Sequence, residues 1–196
     1  MKIVVLDGYP LNPGDISWSK LEALGTVKVY DRTSNANDII SRIGDCEIVL
    51  TNKTPITKET LIACKNIKYI GVLATGYNVV DMEATKAHDI PVCNVPSYGT
   101  NAVAQFATAL LLELCNHVGI HTQSVHNGEW ENGGEWSYWK QPLTELAGKT
   151  AGIIGFGRIG QATANIFNAL GLQAIVYTSH PKKTNNSNFE YVSCGM

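Results

Sequence analysis

This 196-residue sequence has no large excess of one charge: 15 Lys and Arg stand against 17 Asp and Glu, for a formal −2. Without a basic surface to gather phosphates, nucleic acid and anionic membrane have little electrostatic support as partners and neither is expected. Long apolar runs are missing too. The opening MKIVVLDG reaches an acid at Asp7 after about four apolar residues, too few for a signal-peptide core or a bilayer span, so a buried first strand is expected. The five cysteines (Cys46, Cys64, Cys93, Cys115, Cys194) form no C-x-x-C pair and are odd in number, which argues against a disulfide framework and a zinc site and for a reducing, cytoplasmic setting. Neither internal repeat nor low-complexity tract is present.

What is there reads as a folded α/β chain, 44% hydrophobic and 16% charged. Apolar runs at 2–7, 27–31, 47–51, 67–74 and 90–95 alternate with helical stretches at 15–24, 35–43, 57–64 (Thr57 as N-cap) and 81–88. Continuous apolar runs joined by crossovers predict a parallel, doubly wound sheet over residues 1–95. From about Thr100, the residues Val103, Phe106, Ala107, Leu110, Leu111, Leu114 and Val118 recur at helical steps and predict one long amphipathic helix. Residues 127–146, with three of the four tryptophans, predict an irregular arm. A second unit follows: strand 149–155, helix 158–170, strand 173–178, then a polar, poorly patterned remainder.

Between that strand and helix lie Gly155, Gly157 and Gly160, at the G-x-G-x-x-G spacing. The first permits a tight turn, the second lets a diphosphate reach the backbone, and the third lets helix and strand pack closely. The helix N-terminus adds free N–H groups and a positive dipole end. About 20 residues on, where an acid would hold the ribose of NAD, the chain has Thr178. Ser179, His180, Lys182 and Lys183 suit the 2′-phosphate of NADP, or the lysines solubilise a turn; both readings stand, so NAD or NADP is the cofactor expectation.

The segments GVLATGYNVVDMEATKAHDIPVCNVPSYGTNAVAQFATALLLEL at 71–114, SVHNGEW at 124–130, YWKQPLTELAGKTAGIIGFGRIG at 138–160 and VYTSHPKK at 176–183 resemble the D-isomer-specific 2-hydroxyacid dehydrogenases, nearest their glycerate dehydrogenase (hydroxypyruvate reductase) branch. The resemblance implies a flavodoxin-like doubly wound substrate domain at 1–98, a long helix and aromatic dimerisation arm at 99–146, and at 147–196 the first β-α-β of a Rossmann dinucleotide-binding domain. It implies that the backbone at Ala74, Thr75 and Gly76 holds a substrate carboxylate by charge-assisted hydrogen bonds, with Asn52 and Lys53 bordering the substrate. Thr100 and Val103, with the loop from Asn94, would stand beside the nicotinamide, and Phe156, Arg158 and Ile159 would complete the phosphate turn. For Arg158 a plain solvent-facing role is the alternative.

The implied reaction is hydride transfer between a nicotinamide and C2 of a small 2-keto or 2-hydroxy acid. Its catalytic Arg, Glu and His belong, in that family, beyond the second strand of the cofactor domain, and the residues at hand reach none of them. The expectation is therefore a truncated chain without catalytic residues, inactive alone. His117, His121 and His126 have spacing compatible with a metal, but no patterned acid or cysteine joins them, so no metal is expected. Trp130, Trp136 and Trp139 suit an interface between two copies, with pocket lining a further reading for Trp139. A rival function is a non-catalytic module that pairs with itself or with a longer homologue through 99–146.

Overall fold

The computed structural model describes residues 1–179 and 189–192; His180, Lys182 and Lys183 lie outside them. The chain forms two compact units, Met1–Tyr98 and Gly99–Met196.

The first unit runs β1 (Lys2–Val5), α1 (Ser19–Glu22), β2 (Thr26–Val29), α2 (Ala36–Ile43), β3 (Ile48–Thr51), α3 (Lys58–Ala63), β4 (Tyr69–Val72), α4 (Met82–Ala87) and β5 (Val92–Asn94). Its sheet is parallel throughout, in the order β2-β1-β3-β4-β5. Connections leave β1 in one direction and return past it to β3, so the order reverses between these two strands. One face of the sheet, with Val4, Leu6, Val49, Ile70 and Val72, packs on Ile39 and Ile43 of α2, Leu61 of α3 and Ala84 of α4. The right-handed rule for parallel crossovers assigns α1 to the opposite face, and α1 buries no side chain.

Local chemistry sets the helix starts. Asn35, Thr57 and Asp81 each accept a backbone N–H of the first turn, from Asn37, Thr60 and Ala84. The stretch expected to be helical over 15–24 is helical only from Ser19 to Glu22. The Asn12 side chain accepts from the amides of Gly14 and Ile16 and donates to the Ile16 carbonyl, closing a local turn that competes with the helix.

The second unit runs α5 (Thr100–Asn116), α6 (Val118–His126), β6 (Thr150–Ile154), α7 (Arg158–Ala169), β7 (Gln173–Tyr177) and β8 (Glu190–Tyr191). Its sheet has the order β6-β7-β8, all parallel. The remainder after residue 178, read as unpatterned, thus supplies a third strand. Phe189 tucks in beside Ala164, Ala174 and Val176 as its anchor.

The single long helix expected from Thr100 is two helices bent by 62°. His117 adopts a left-handed φ of 50° and ends α5, and the Glu113 carboxylate accepts the Gly119 amide at 3.1 Å to cap the start of α6. The buried face of α5 carries small residues, Ala104, Thr108 and Cys115, and packs on α7. The larger residues of the expected stripe, Val103, Phe106, Leu110 and Leu114, are exposed. The arm is irregular and folds back: Lys140 donates its amide to His121 Nε2, Thr144 donates to the Cys115 carbonyl, and the Tyr138 ring lies tilted against Trp130. No single helix among the described residues is long and apolar enough to cross a membrane.

Candidate functional site

At the C-terminal end of β6 the three glycines take distinct positions. Gly155 has φ +96°, a conformation that side-chain-bearing residues rarely adopt, and its amide donates to the Tyr177 carbonyl. Gly157 faces open space: a Cβ there would meet nothing within 4 Å. At Gly160 a Cβ would stand 2.1 Å from the Gly155 carbonyl oxygen, so the start of α7 rests on the turn backbone to backbone. No side chain caps α7, and its first internal hydrogen bond runs from Gln161 to Gly157. The amides of Arg158, Ile159 and Gly160 therefore point out of the helix end without an acceptor among the described residues. The arrangement is an anion cradle by geometry and dipole.

Other residues of that set sit as follows. Phe156 lends the turn its backbone, while its ring packs edge-on against Phe189 at 5.1 Å and Tyr191 at 5.7 Å. Arg158 and Ile159 are exposed. Thr178 and Ser179 follow the end of β7, half-buried and exposed respectively. Thr100 is the first residue of α5, behind Gly99, and Val103 is exposed one turn on.

In the first unit, the loops after β3 and β4 lie side by side, since the two strands are paired and the Leu73 amide donates to the Thr51 carbonyl. Ala74 is buried; Thr75 and Gly76 are exposed. Three hydrogen bonds pin this loop to the end of β5: Val95 N to Ala74 O, Thr75 Oγ1 to Val95 O, and Asn94 Nδ2 to Thr75 O. No described residue accepts from the Thr75 or Gly76 amides, which are left for solvent or a ligand. Beside them, Asn52 is half-buried and Lys53 exposed, without an ion pair among the described residues.

The loop of Asn52 and Lys53 is held by a residue to which no role is assigned from sequence. Asp7, 4% exposed, follows β1, and its two carboxylate oxygens accept the amides of Asn52 (2.7 Å), Lys53 and Thr54 (2.9 Å). The one signal available was an acid directly after a buried apolar run.

The described histidines do not gather. His121 turns Nδ1 to the His117 carbonyl and Nε2 to the Lys140 amide, and His88 turns Nδ1 to the Ala84 carbonyl. Among the described residues no group of three or more His, Cys, Asp or Glu could hold a metal ion. Burial pushes the Cys46 and Cys64 thiols up from their ordinary value, away from the reactive thiolate.

The family model of the D-isomer specific 2-hydroxyacid dehydrogenase catalytic domain matches residues 3–188. A hydroxypyruvate reductase of Blautia hydrogenotrophica is 57% identical over 98% of this chain, which spans 61% of that protein. A glycerate dehydrogenase of Methylorubrum extorquens is 34% identical over 92% of the chain, spanning 57% of its length. Among solved structures, an acyclic imino acid reductase in complex with NADPH and D-Arg superposes with a TM-score of 0.74 at 28% identity, over 98% of this chain and 60% of the other.

Proposed function

The chain belongs to the D-isomer specific 2-hydroxyacid dehydrogenase family, and on that premise we propose that it carries the binding halves of an oxidoreductase of the hydroxypyruvate reductase (glycerate dehydrogenase) type. Unit by unit, the division of labour follows the amides. In the first unit, the unclaimed amides of Thr75 and Gly76 take the carboxylate of a small 2-keto or 2-hydroxy acid, and Lys53 adds a nearby cation. In the second, the amides of Arg158, Ile159 and Gly160 take the diphosphate of NAD or NADP, with Gly157 leaving it room. The bound dinucleotide supplies or accepts the hydride. Thr178 and Ser179 sit where the adenosine ribose belongs, and without a carboxylate at 178 a 2′-phosphate is admissible.

Two copies pairing through residues 99–146 is part of the same reading. It is supported by the exposure of Phe106, Leu110 and Leu114 on α5 and of Trp136 and Trp139 on the arm, a concentration of large apolar side chains that favours an interface. The buried, free thiols of Cys46, Cys64 and Cys115 support a reducing compartment such as the cytoplasm.

The observation that carries the proposal is the glycine turn, with one glycine at positive φ, one facing open space and one pressed on backbone. Gly157→Asp isolates it. Aspartate is a good N-cap, so α7 keeps its stability, but the new carboxylate meets the diphosphate. In calorimetric titrations the wild-type chain is expected to bind NADH or NADPH, and Gly157→Asp to lose at least about tenfold in affinity with an unchanged melting temperature. No binding by the wild type, or equal binding by the variant, overturns the proposal.

A further inference from the structure

We infer that Asp7 is a positioning residue, which sets the backbone of the Asn52–Lys53 loop so that it faces the acid substrate; the inference rests on the proposed role of that loop. The sheet order β2-β1-β3-β4-β5 reverses between β1 and β3. In open parallel sheets, ligands settle beyond the carboxyl ends of the strands at such a reversal, because the connections on either side diverge and leave a crevice. Asp7 stands on one lip of that crevice, at the end of β1, and grips the other, the turn after β3, through the amides of Asn52, Lys53 and Thr54. Three consecutive amides converging on one carboxylate fix the direction of the turn. Lys53, exposed and without an acidic partner among the described residues, is thereby aimed from a rigid base.

A second set of bonds holds the same corner without touching those amides. The Thr33 hydroxyl donates to the Leu6 carbonyl and accepts from Arg42 at 2.7 Å, while the Thr51 hydroxyl donates to the Thr54 carbonyl at 2.7 Å. The Thr54 hydroxyl donates to the Thr33 carbonyl at 3.1 Å. These tie the corner to the core; the tie to residues 52 and 53 is made by Asp7. The difference separates positioning from plain stability. Asp7→Asn is nearly isosteric, yet it leaves one acceptor oxygen and turns an NH2 donor toward N–H donors. Thr33→Val removes a buried bond of the same corner and leaves the Asp7 contacts alone.

The test is a titration of the 15N-labelled full chain with hydroxypyruvate, followed at the backbone amides. In the wild type the resonances of residues 52–53 and 75–76 are expected to shift together with one dissociation constant. Asp7→Asn is expected to weaken hydroxypyruvate about tenfold, to speed hydrogen exchange at residues 52–54, and to leave the affinity for NADH unchanged. Thr33→Val is expected to lower the melting temperature and keep the hydroxypyruvate affinity. A wild type that ignores hydroxypyruvate sinks the proposed role of the loop and this inference with it. A wild type that binds, beside an Asp7→Asn variant that binds equally well, sinks this inference alone. Should Asp7→Asn fail to fold, the wild-type titration decides: shifts at 75–76 with none at 52–53 overturn it.

Discussion

Both units are parallel sheets threaded by crossovers, yet they reach order by opposite means. In the first, β1 lies between β2 and β3, and Ile3, Val4, Val5 and Leu6 are all at most 1% exposed. In the second, β6 is an edge strand among the described residues and its Ile154 is 89% exposed, while Ala174 and Val176 of β7 face inward. An apolar strand sequence therefore does not fix how much stability it contributes; the number of covered faces and neighbours does. The candidate sites repeat the contrast. The first unit shapes its loop with an added side chain, the Asp7 carboxylate; the second shapes its turn by leaving side chains out, at Gly155, Gly157 and Gly160.

The contrast is open to attack at each unit's weakest assumption. The largest effect is expected from Ile70→Ala, at the centre of the first core and 0% exposed, which should cost about 2–5 kcal/mol through lost burial and the cavity left behind. Hydrogen exchange should show the loss in β1, β3 and β4; protection persisting there would mean that this core is not the first unit's main support. Next comes Gly160→Ala, where the added methyl meets the Gly155 carbonyl and pushes α7 off β6. A cost of about 1–3 kcal/mol is expected, read as lost exchange protection in β6 and β7. Tolerance of the alanine would show that the helix and turn are not in backbone contact.

The smallest effect concerns the arm. The Lys140 ammonium, hydrogen-bonded to Glu129, holds that carboxyl below the ordinary carboxylate range, and Glu129 in turn raises Lys140. The Glu129 contribution is whole above the ordinary carboxylate range and is lost as pH falls through the lowered value; the Lys140 contribution is lost only as pH rises through the raised one. Both side chains are about two-fifths exposed, 39% and 41%, so water screens the pair. Acidification should loosen the packing of Trp130 on Tyr138, seen as a small change in tryptophan fluorescence that Glu129→Gln abolishes. A pH response identical in wild type and variant would detach the pair from the arm's order.

Much of this was legible in the residues. Continuous apolar runs gave the strands of the first sheet, Thr57 before its helix gave a cap, and the glycines gave the turn, because Gly155 at positive φ and Gly160 against backbone answer requirements that only glycine meets while Gly157 keeps the space before α7 open. The parts that were not legible have physical reasons. The break at His117 depends on one residue entering the left-handed region, and on Glu113 reaching forward six positions to cap the next helix, neither of which disturbs apolar spacing. The strand at Glu190–Tyr191 is too short to show a period and exists because β7 offers an edge to pair with. Asp7 was invisible as a positioning group because its acceptors meet backbone amides 45 to 47 positions away, and an amide has no letter in a sequence.

That last feature has a use in redesign. A clamp that holds main-chain nitrogens is indifferent to what hangs from the neighbouring α-carbons, provided that none of the three clamped positions becomes proline. Positions 52 and 53 are thus a natural place for a combinatorial library, in which head groups of different size and charge are swapped on a scaffold whose path is already set by Asp7.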